Sequence, residues 1–133
     1  MNIGATGKAG EDAALRRYEE MGFTLVERNF QTRYGEIDLI LKNDRFLVFA
    51  EVKTRTPNSR MGGIASMSRS KMQKIFKTAL VYMQSVKFDL QPRFDVVDIT
   101  GNWLVQDGTE IFCVDKLTIY DNAFGSEVYR GFV

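Results

Sequence analysis

Residues Glu36 to Lys42 and Phe46 to Thr54 form two strongly apolar runs separated only by Asn43-Asp44-Arg45. Runs of this length bounded by turn formers are strands, and so short a connection makes them antiparallel. Successive side chains in a strand point to opposite faces, so with an even-membered loop, positions whose numbers sum to an odd value share a face. One face then holds Ile37, Leu39, Leu41, Phe46, Val48, Ala50 and Val52 and is apolar almost throughout. The other holds Ile40, Leu47 and Phe49 near the turn, then Glu36, Asp38, Glu51 and Lys53 at the open end. A hairpin so patterned belongs inside a fold, with charge confined to one end of an otherwise buried face.

The flanking segments supply the rest of an α/β domain. From about Lys8 to Met21, Ala14, Leu15, Tyr18 and Met21 recur at helical spacing, and Gly22 stands where a left-handed cap ends a helix. Phe23 to Phe30 alternates apolar and polar and reads as a strand. Thr56 to Met67 is a small, turn-rich loop, after which Ser68 or Ser70 can cap a second helix. There Met72, Ile75, Phe76, Ala79, Leu80 and Met83 form the expected inner stripe, with Lys71, Lys74 and Lys77 expected outward. Arg93 to Thr100 is a further strand, and Trp103 to Val105, Glu110 to Val114 and Leu117 to Tyr120 are short strand candidates. The order αβββαβ with small terminal strands predicts a mixed sheet flanked by two main helices. Residues 1–124 read as one domain and residues 125–133 as a tail.

Composition narrows the chemistry. Of 133 residues, 44% are hydrophobic and 26% charged, as in ordinary globular domains. The chain has no histidine, which excludes Ser-His and Cys-His nucleophiles and imidazole metal sites. The single cysteine, Cys113, closes no intrachain disulfide and is expected as a small buried residue. No run approaches the ~18 apolar residues of a membrane span, and the polar amino terminus lacks a signal-peptide core, which predicts a cytoplasmic protein with no membrane partner. Net charge is +1, yet Lys53, Arg55, Arg60, Arg69, Lys71, Lys74 and Lys77 follow one another with no acid between. Such a run is either a solvated face or a phosphate-binding surface.

Acids packed at the edge of a buried face need compensation. A divalent cation keeps neighbouring carboxylates ionised, and with no nitrogen or sulfur ligands at hand the ion would be Mg²⁺ or Mn²⁺. The alternative is a cross-strand ion pair of Lys53 with Asp38 or Glu36. Glu11 precedes Leu15 and Tyr18 by four and seven residues, on the inward stripe of the first helix. It either offsets the helix dipole in a first turn or leans over the sheet edge toward Asp38 and Glu51.

The blocks Gly7-Lys8-Ala9-Gly10-Glu11-Asp12-Ala13-Ala14, Arg28-Asn29-Phe30, Gly35-Glu36-Ile37-Asp38-Leu39-Ile40, Val48-Phe49-Ala50-Glu51-Val52-Lys53-Thr54-Arg55 and Arg93-Phe94-Asp95-Val96 occur in this order, closed by Asn122-Ala123-Phe124. Together they resemble the YraN-like bacterial family. That family is similar to the PD-(D/E)xK nuclease superfamily of restriction-endonuclease-like fold, in particular the archaeal Holliday-junction resolvases. The resemblance implies a metal-dependent, structure-selective DNA endonuclease. Asp38 and Glu51 would bind the metal, Glu11 would match the helix-borne acid of the resolvase branch, and Lys53 would orient or activate the attacking water. Glu36 has no fixed role in it, and Asp95, on a core strand, reads as structural. Arg55, Arg60, Arg69, Lys71, Lys74 and Lys77 would hold the phosphates of branched or single-stranded DNA, and related resolvases act as homodimers. The competing function is a non-catalytic nucleic-acid-binding or repair and recombination assembly module of the same fold.

Overall fold

The structure, a computed structural model, describes residues 3–57, 67–87 and 89–129. Arg60, within the expected basic run, lies outside the described residues. Helix α1 (Ile3–Glu20) is followed by β1 (Thr24–Thr32), β2 (Gly35–Lys42), β3 (Phe46–Arg55), α2 (Arg69–Ser85), β4 (Gln91–Gln106) and β5 (Thr109–Phe124), and a 3-10 turn covers Ser126–Tyr129. The five strands form one sheet in the order β1-β2-β3-β4-β5, antiparallel except for the parallel β3–β4 pair joined through α2. The arrangement is an α/β fold that fits a restriction-endonuclease-like architecture. No helix among the described residues is long and apolar enough to cross a membrane.

The alternation expected of the central hairpin places a helix on each face. Lys42 pairs with Leu47 and Leu39 with Ala50, so the loop is even-membered and the parity argument holds. Leu39, Leu41, Val48, Ala50, Val97 and Ile99 pack against Ala13, Ala14 and Tyr18 of α1. Ile40, Leu47, Phe49, Phe94 and Val96 pack against Ile75, Ala79 and Tyr82 of α2. Ser68 caps α2, accepting from the Lys71 N–H at 3.0 Å. Each helix has one stripe to bury, so both sheet faces are closed.

Several expectations are corrected. α1 begins at Ile3, five residues before the expected start at Lys8, so Glu11 lies well inside the helix and not in its first turn. Ile37 joins the α2 cluster instead of the Leu39 face. Leu80 is 41% exposed while Thr78 and Tyr82 are buried in its place. The short terminal strands are parts of two 16-residue strands, β4 and β5, joined through Asp107-Gly108, both at positive φ, a hairpin turn of the tight two-residue kind. β4 continues past β3 because a register shift at Thr100/Gly101 lets it bend. A Cβ at Gly101 would meet the Cys113 carbonyl oxygen at 2.5 Å and the Phe112 ring at 2.7 Å. Cys113 is half-buried, not fully buried.

The α1 face of the sheet is fixed by a buried polar network. Asp95 is fully buried and accepts from the Tyr18 hydroxyl at 2.8 Å, from Arg93 Nε and Nη2 at 2.9 and 2.8 Å, and from the Asn122 N–H at 3.0 Å. The Arg93 guanidinium lies 4.8 Å from the Phe46 ring centroid and 5.3 Å from that of Phe23. Burial first, and then Asp95, push the Tyr18 hydroxyl far above its ordinary range, so it serves as a permanent donor. α1, β4 and β5 are thus tied through one carboxylate. Removing that carboxylate strands a cation and two donors, so Asp95→Ala is expected to cost about 3–5 kcal/mol in urea unfolding. Tyr18→Phe, which removes a single donor, is expected to cost only about 1–2 kcal/mol.

Candidate functional site

At the open end of the β2–β3 hairpin the ladder comes apart. The backbone pairing of β2 with β3 ends at Leu39↔Ala50, and the Val52 N–H donates to Asp38 Oδ2 at 2.7 Å. On the other side of β2, Asn29 lies between the pairs Arg28↔Leu39 and Phe30↔Ile37 and is held at φ 54, a left-handed conformation that asparagine tolerates better than most residues. Beyond the last backbone pair Ile37 turns to the α2 face. The hairpin register, continued one residue past Leu39↔Ala50, sets Asp38 level with Glu51 on adjacent strands.

Around this gap the structure assembles charges from several elements. Glu51, buried, meets Lys71 Nζ of α2 at 3.0 Å and Lys53 Nζ at 3.6 Å, both through Oε1. Lys53 therefore pairs along its own strand, not across to Asp38 or Glu36. Glu36 is exposed and takes a bond from Gln31 at 3.3 Å. Asp38, Glu51, Glu36, Lys71, Lys74, Gly35 and Ile75 line a cavity of about 230 Å³. Glu11 borders a neighbouring cavity of about 390 Å³ with Thr6, Gly7, Val52, Lys53, Thr54 and Thr56. α1 comes this close because residue 10 is glycine: a Cβ there would meet Thr54 Cβ at 2.7 Å and Cγ2 at 2.8 Å.

Glu11 is not free to swing. Arg28 Nε donates to its Oε1 at 3.2 Å, while Arg28 Nη1 meets Asp12 Oδ1 at 2.7 Å and Nη2 reaches the Lys8 carbonyl at 3.3 Å. Asp38, Glu51 and Lys53 are thus gathered, and Glu11 stands beside them on an arginine tether. Lys71 is exposed, as the helical pattern expects, yet its ammonium turns back to Glu51. Among the other basic residues, Arg55 holds Asp98 through Nη2 at 2.8 Å to both carboxylate oxygens, and Arg69 Nε donates to the Val128 carbonyl at 2.8 Å. Lys74 and Lys77 are exposed on α2.

Burial foremost, then the charge of Glu51 and more weakly of Glu11 and Glu36, push Asp38 up to about 7 against the opposing Val52 hydrogen bond. For Lys71, burial works downward, but Glu51 and Asp38 outweigh it and hold the ammonium above its usual range. The cluster is short of positive charge at Asp38, which has no ion-pair partner among the described residues. The donors are all carboxylate oxygens, suited to a hard divalent ion. In this side-chain arrangement no three such groups among the described residues are close enough to cage one. Asp38 and Glu51 are the pair of carboxylates that could hold one. That number suits Mg²⁺, which commonly takes one or two carboxylates and completes its shell with water and phosphate.

The raised value for Asp38 has a defined sign. The folded chain holds a proton there that the unfolded chain has lost between about pH 4 and pH 7, so this contribution to stability is full below about pH 4 and is lost as pH rises through 7. Asp38→Asn keeps an acceptor for the Val52 N–H and removes the charge. It is expected to be more stable than wild type by on the order of 2 kcal/mol at about pH 8, with most of the gain gone at about pH 5, as followed by urea unfolding.

Residues 10–99, a span that includes Glu11, Asp38, Glu51, Lys53, Lys71 and Asp95, match the family described as "Uncharacterised protein family UPF0102". A UPF0102 protein of Neisseria meningitidis serogroup C is 46% identical over 98 residues, covering 72% of this chain and 84% of its own length. One from Legionella pneumophila is 42% identical over 122 residues, covering 89% and 92%. Another from Herminiimonas arsenicoxydans is 39% identical over 101 residues, covering 74% and 82%. The chain belongs to the UPF0102 family.

Proposed function

We propose that the chain is a Mg²⁺- or Mn²⁺-dependent endonuclease that hydrolyses phosphodiester bonds in structured DNA. The observation that carries this reading is the adjacency of Asp38, Glu51 and Lys53 at the split end of β2 and β3, with Asp38 pushed up to about 7 by burial and by the charge of Glu51. When bound, the ion would polarise the scissile phosphate and make a water more acidic. Asp38 and Glu51 would hold it, and the fixed Val52 N–H would keep Asp38 turned toward it. Lys53, on the same strand face as Glu51, sets a positive charge beside the attacked phosphorus. Lys71, released from Glu51, has the reach to take a phosphate oxygen, and Lys74 and Lys77 continue the positive line along α2. Such contacts position a strand without reading its bases, which favours recognition of shape over sequence.

A second reading, a nucleic-acid-binding or repair and recombination assembly module without turnover, draws on one observation. Glu11 and Glu51 are both satisfied by internal cations, Arg28 and Lys71.

The two separate in one assay. Branched, flapped, single-stranded and duplex DNA are incubated with the protein in Mg²⁺, in Mn²⁺ and in EDTA, beside Asp38→Asn and Lys53→Ala. Cutting is expected only with metal and to fall at least ~100-fold in both variants, the order expected for losing charge stabilisation or acid–base assistance. Salt-sensitive binding with no cutting under any condition would establish the module. Metal loading is checked independently: millimolar Mg²⁺ is expected to raise the melting temperature of wild type and not of Asp38→Asn, whose folding the urea curves monitor.

A further inference from the structure

The turn between β1 and β2 carries Arg33 and Tyr34, and neither contributes to the carboxylate cluster. The turn is held firmly. The Tyr34 N–H donates to Thr32 Oγ1 at 3.1 Å, and that hydroxyl lies 3.2 Å from Thr78 Oγ1 of α2, which in turn donates to the Lys74 carbonyl at 2.8 Å. Two cations attend the half-buried ring: the Arg33 guanidinium carbon is 4.9 Å from its centroid and Lys77 Nζ 5.6 Å, and Arg33 Nη2 donates to the Tyr34 hydroxyl at 2.7 Å. Beside the ring is a shallow cavity of about 250 Å³ shared with Lys77, Leu80, Val81 and Gln84. Its Leu80 is the residue of α2 that faces outward against the apolar pattern. The next two residues in the chain, Gly35 and Glu36, already line the carboxylate cavity with Lys71 and Lys74. One rigid turn therefore borders both cavities.

An aromatic ring beside an apolar floor, with two cations over it that the phosphates of a bound strand would draw aside, suits an unpaired nucleobase and its backbone. The ring offers a π-face that any base can use, and the cations take the negative backbone. A base inside a duplex is already stacked on both sides and has no face to give. We propose that Tyr34, with Arg33 and Lys77, forms a stacking subsite for an unpaired nucleotide adjoining the phosphate held at Asp38 and Glu51. The subsite rests on the nucleic-acid reading above and adds a preference to it: strands with unstacked bases, as at a branch or flap, over continuous duplex.

The test measures binding without cleavage. Full-length protein in EDTA is titrated into labelled single-stranded DNA, an abasic strand of equal length and a duplex, by fluorescence anisotropy. Wild type is expected to prefer the base-bearing single strand. Tyr34→Ala is expected to lose about 5–100-fold on that strand, the range for one stacked base, and less than about twofold on the abasic strand and the duplex. Tyr34→Phe, which keeps the ring, is expected to stay near wild type. Lys77→Ala is expected to weaken all three and to lower the salt slope on single strands by about 0.7. Urea unfolding of each variant verifies that it is folded. Loss in Tyr34→Ala that is equal on all three DNAs, or absent on the single strand, overturns the subsite while leaving the nucleic-acid reading in place. Wild type that binds none of the three at low salt overturns both.

Discussion

The Val52 N–H donates to a side chain where an uninterrupted ladder would have it pair with backbone. That substitution lets β2 and β3 part without leaving a buried donor unpaired, and the gap is where Asp38 and Glu51 come level. A carboxylate is well suited to the task, since it accepts through one oxygen and keeps the other for a partner. The same bond opposes the upward pull that burial and neighbouring acids exert on Asp38, so it shapes both the backbone and the charge state of the site. The left-handed Asn29 on the far side of β2 accommodates the distortion locally, leaving the hairpin regular from Leu39 to its turn.

The charges around the gap come from parts of the chain that meet only in the folded state. Arg28 from β1 secures Glu11 of α1, Lys71 from α2 secures Glu51, and Lys53 stands beside Glu51 on β3. Asp38 has no such partner among the described residues, and burial and the neighbouring acids push its pKa up. On the α1 face of the sheet, level with Ala50, the accounting is complete: every bond that Asp95 accepts is made by a donor fixed in place. A saturated polar network is rigid, whereas an unsaturated one is an invitation to a ligand.

The hairpin and its shared face were legible because period-two alternation leaves little freedom once the loop is even-membered. The face change at Ile37 was not, since it falls beyond the last backbone pair of the hairpin, where period-two alternation no longer governs. Leu80 was misplaced although the signal was present: it lies half a turn away from the centre of the stripe that Ile75, Thr78 and Tyr82 define, whereas Lys71, one helical turn before Ile75, is exposed but lies on the line that lets it reach Glu51. Counting leucines as inward overrode the angle. Asp107-Gly108 is a recognised hairpin signature, and giving it weight would have joined the short terminal strands into β4 and β5. Arg28 and Tyr34 carried no local mark. Their roles arise from what α1 and α2 bring against them, which is tertiary information.

β4 runs on from Gly101 to Gln106 after its last partner on β3, Thr100, and no strand among the described residues pairs with that edge. Its Leu104 and Val105 are 53% and 73% exposed. The outer strand, β5, carries Glu110, Asp115, Lys116 and Asp121, charges of the kind that discourage strand addition, whereas the free stretch of β4 from 101 to 106 has none. This overhanging ribbon is therefore a stretch of sheet edge that carries no charge of its own to hold off another strand.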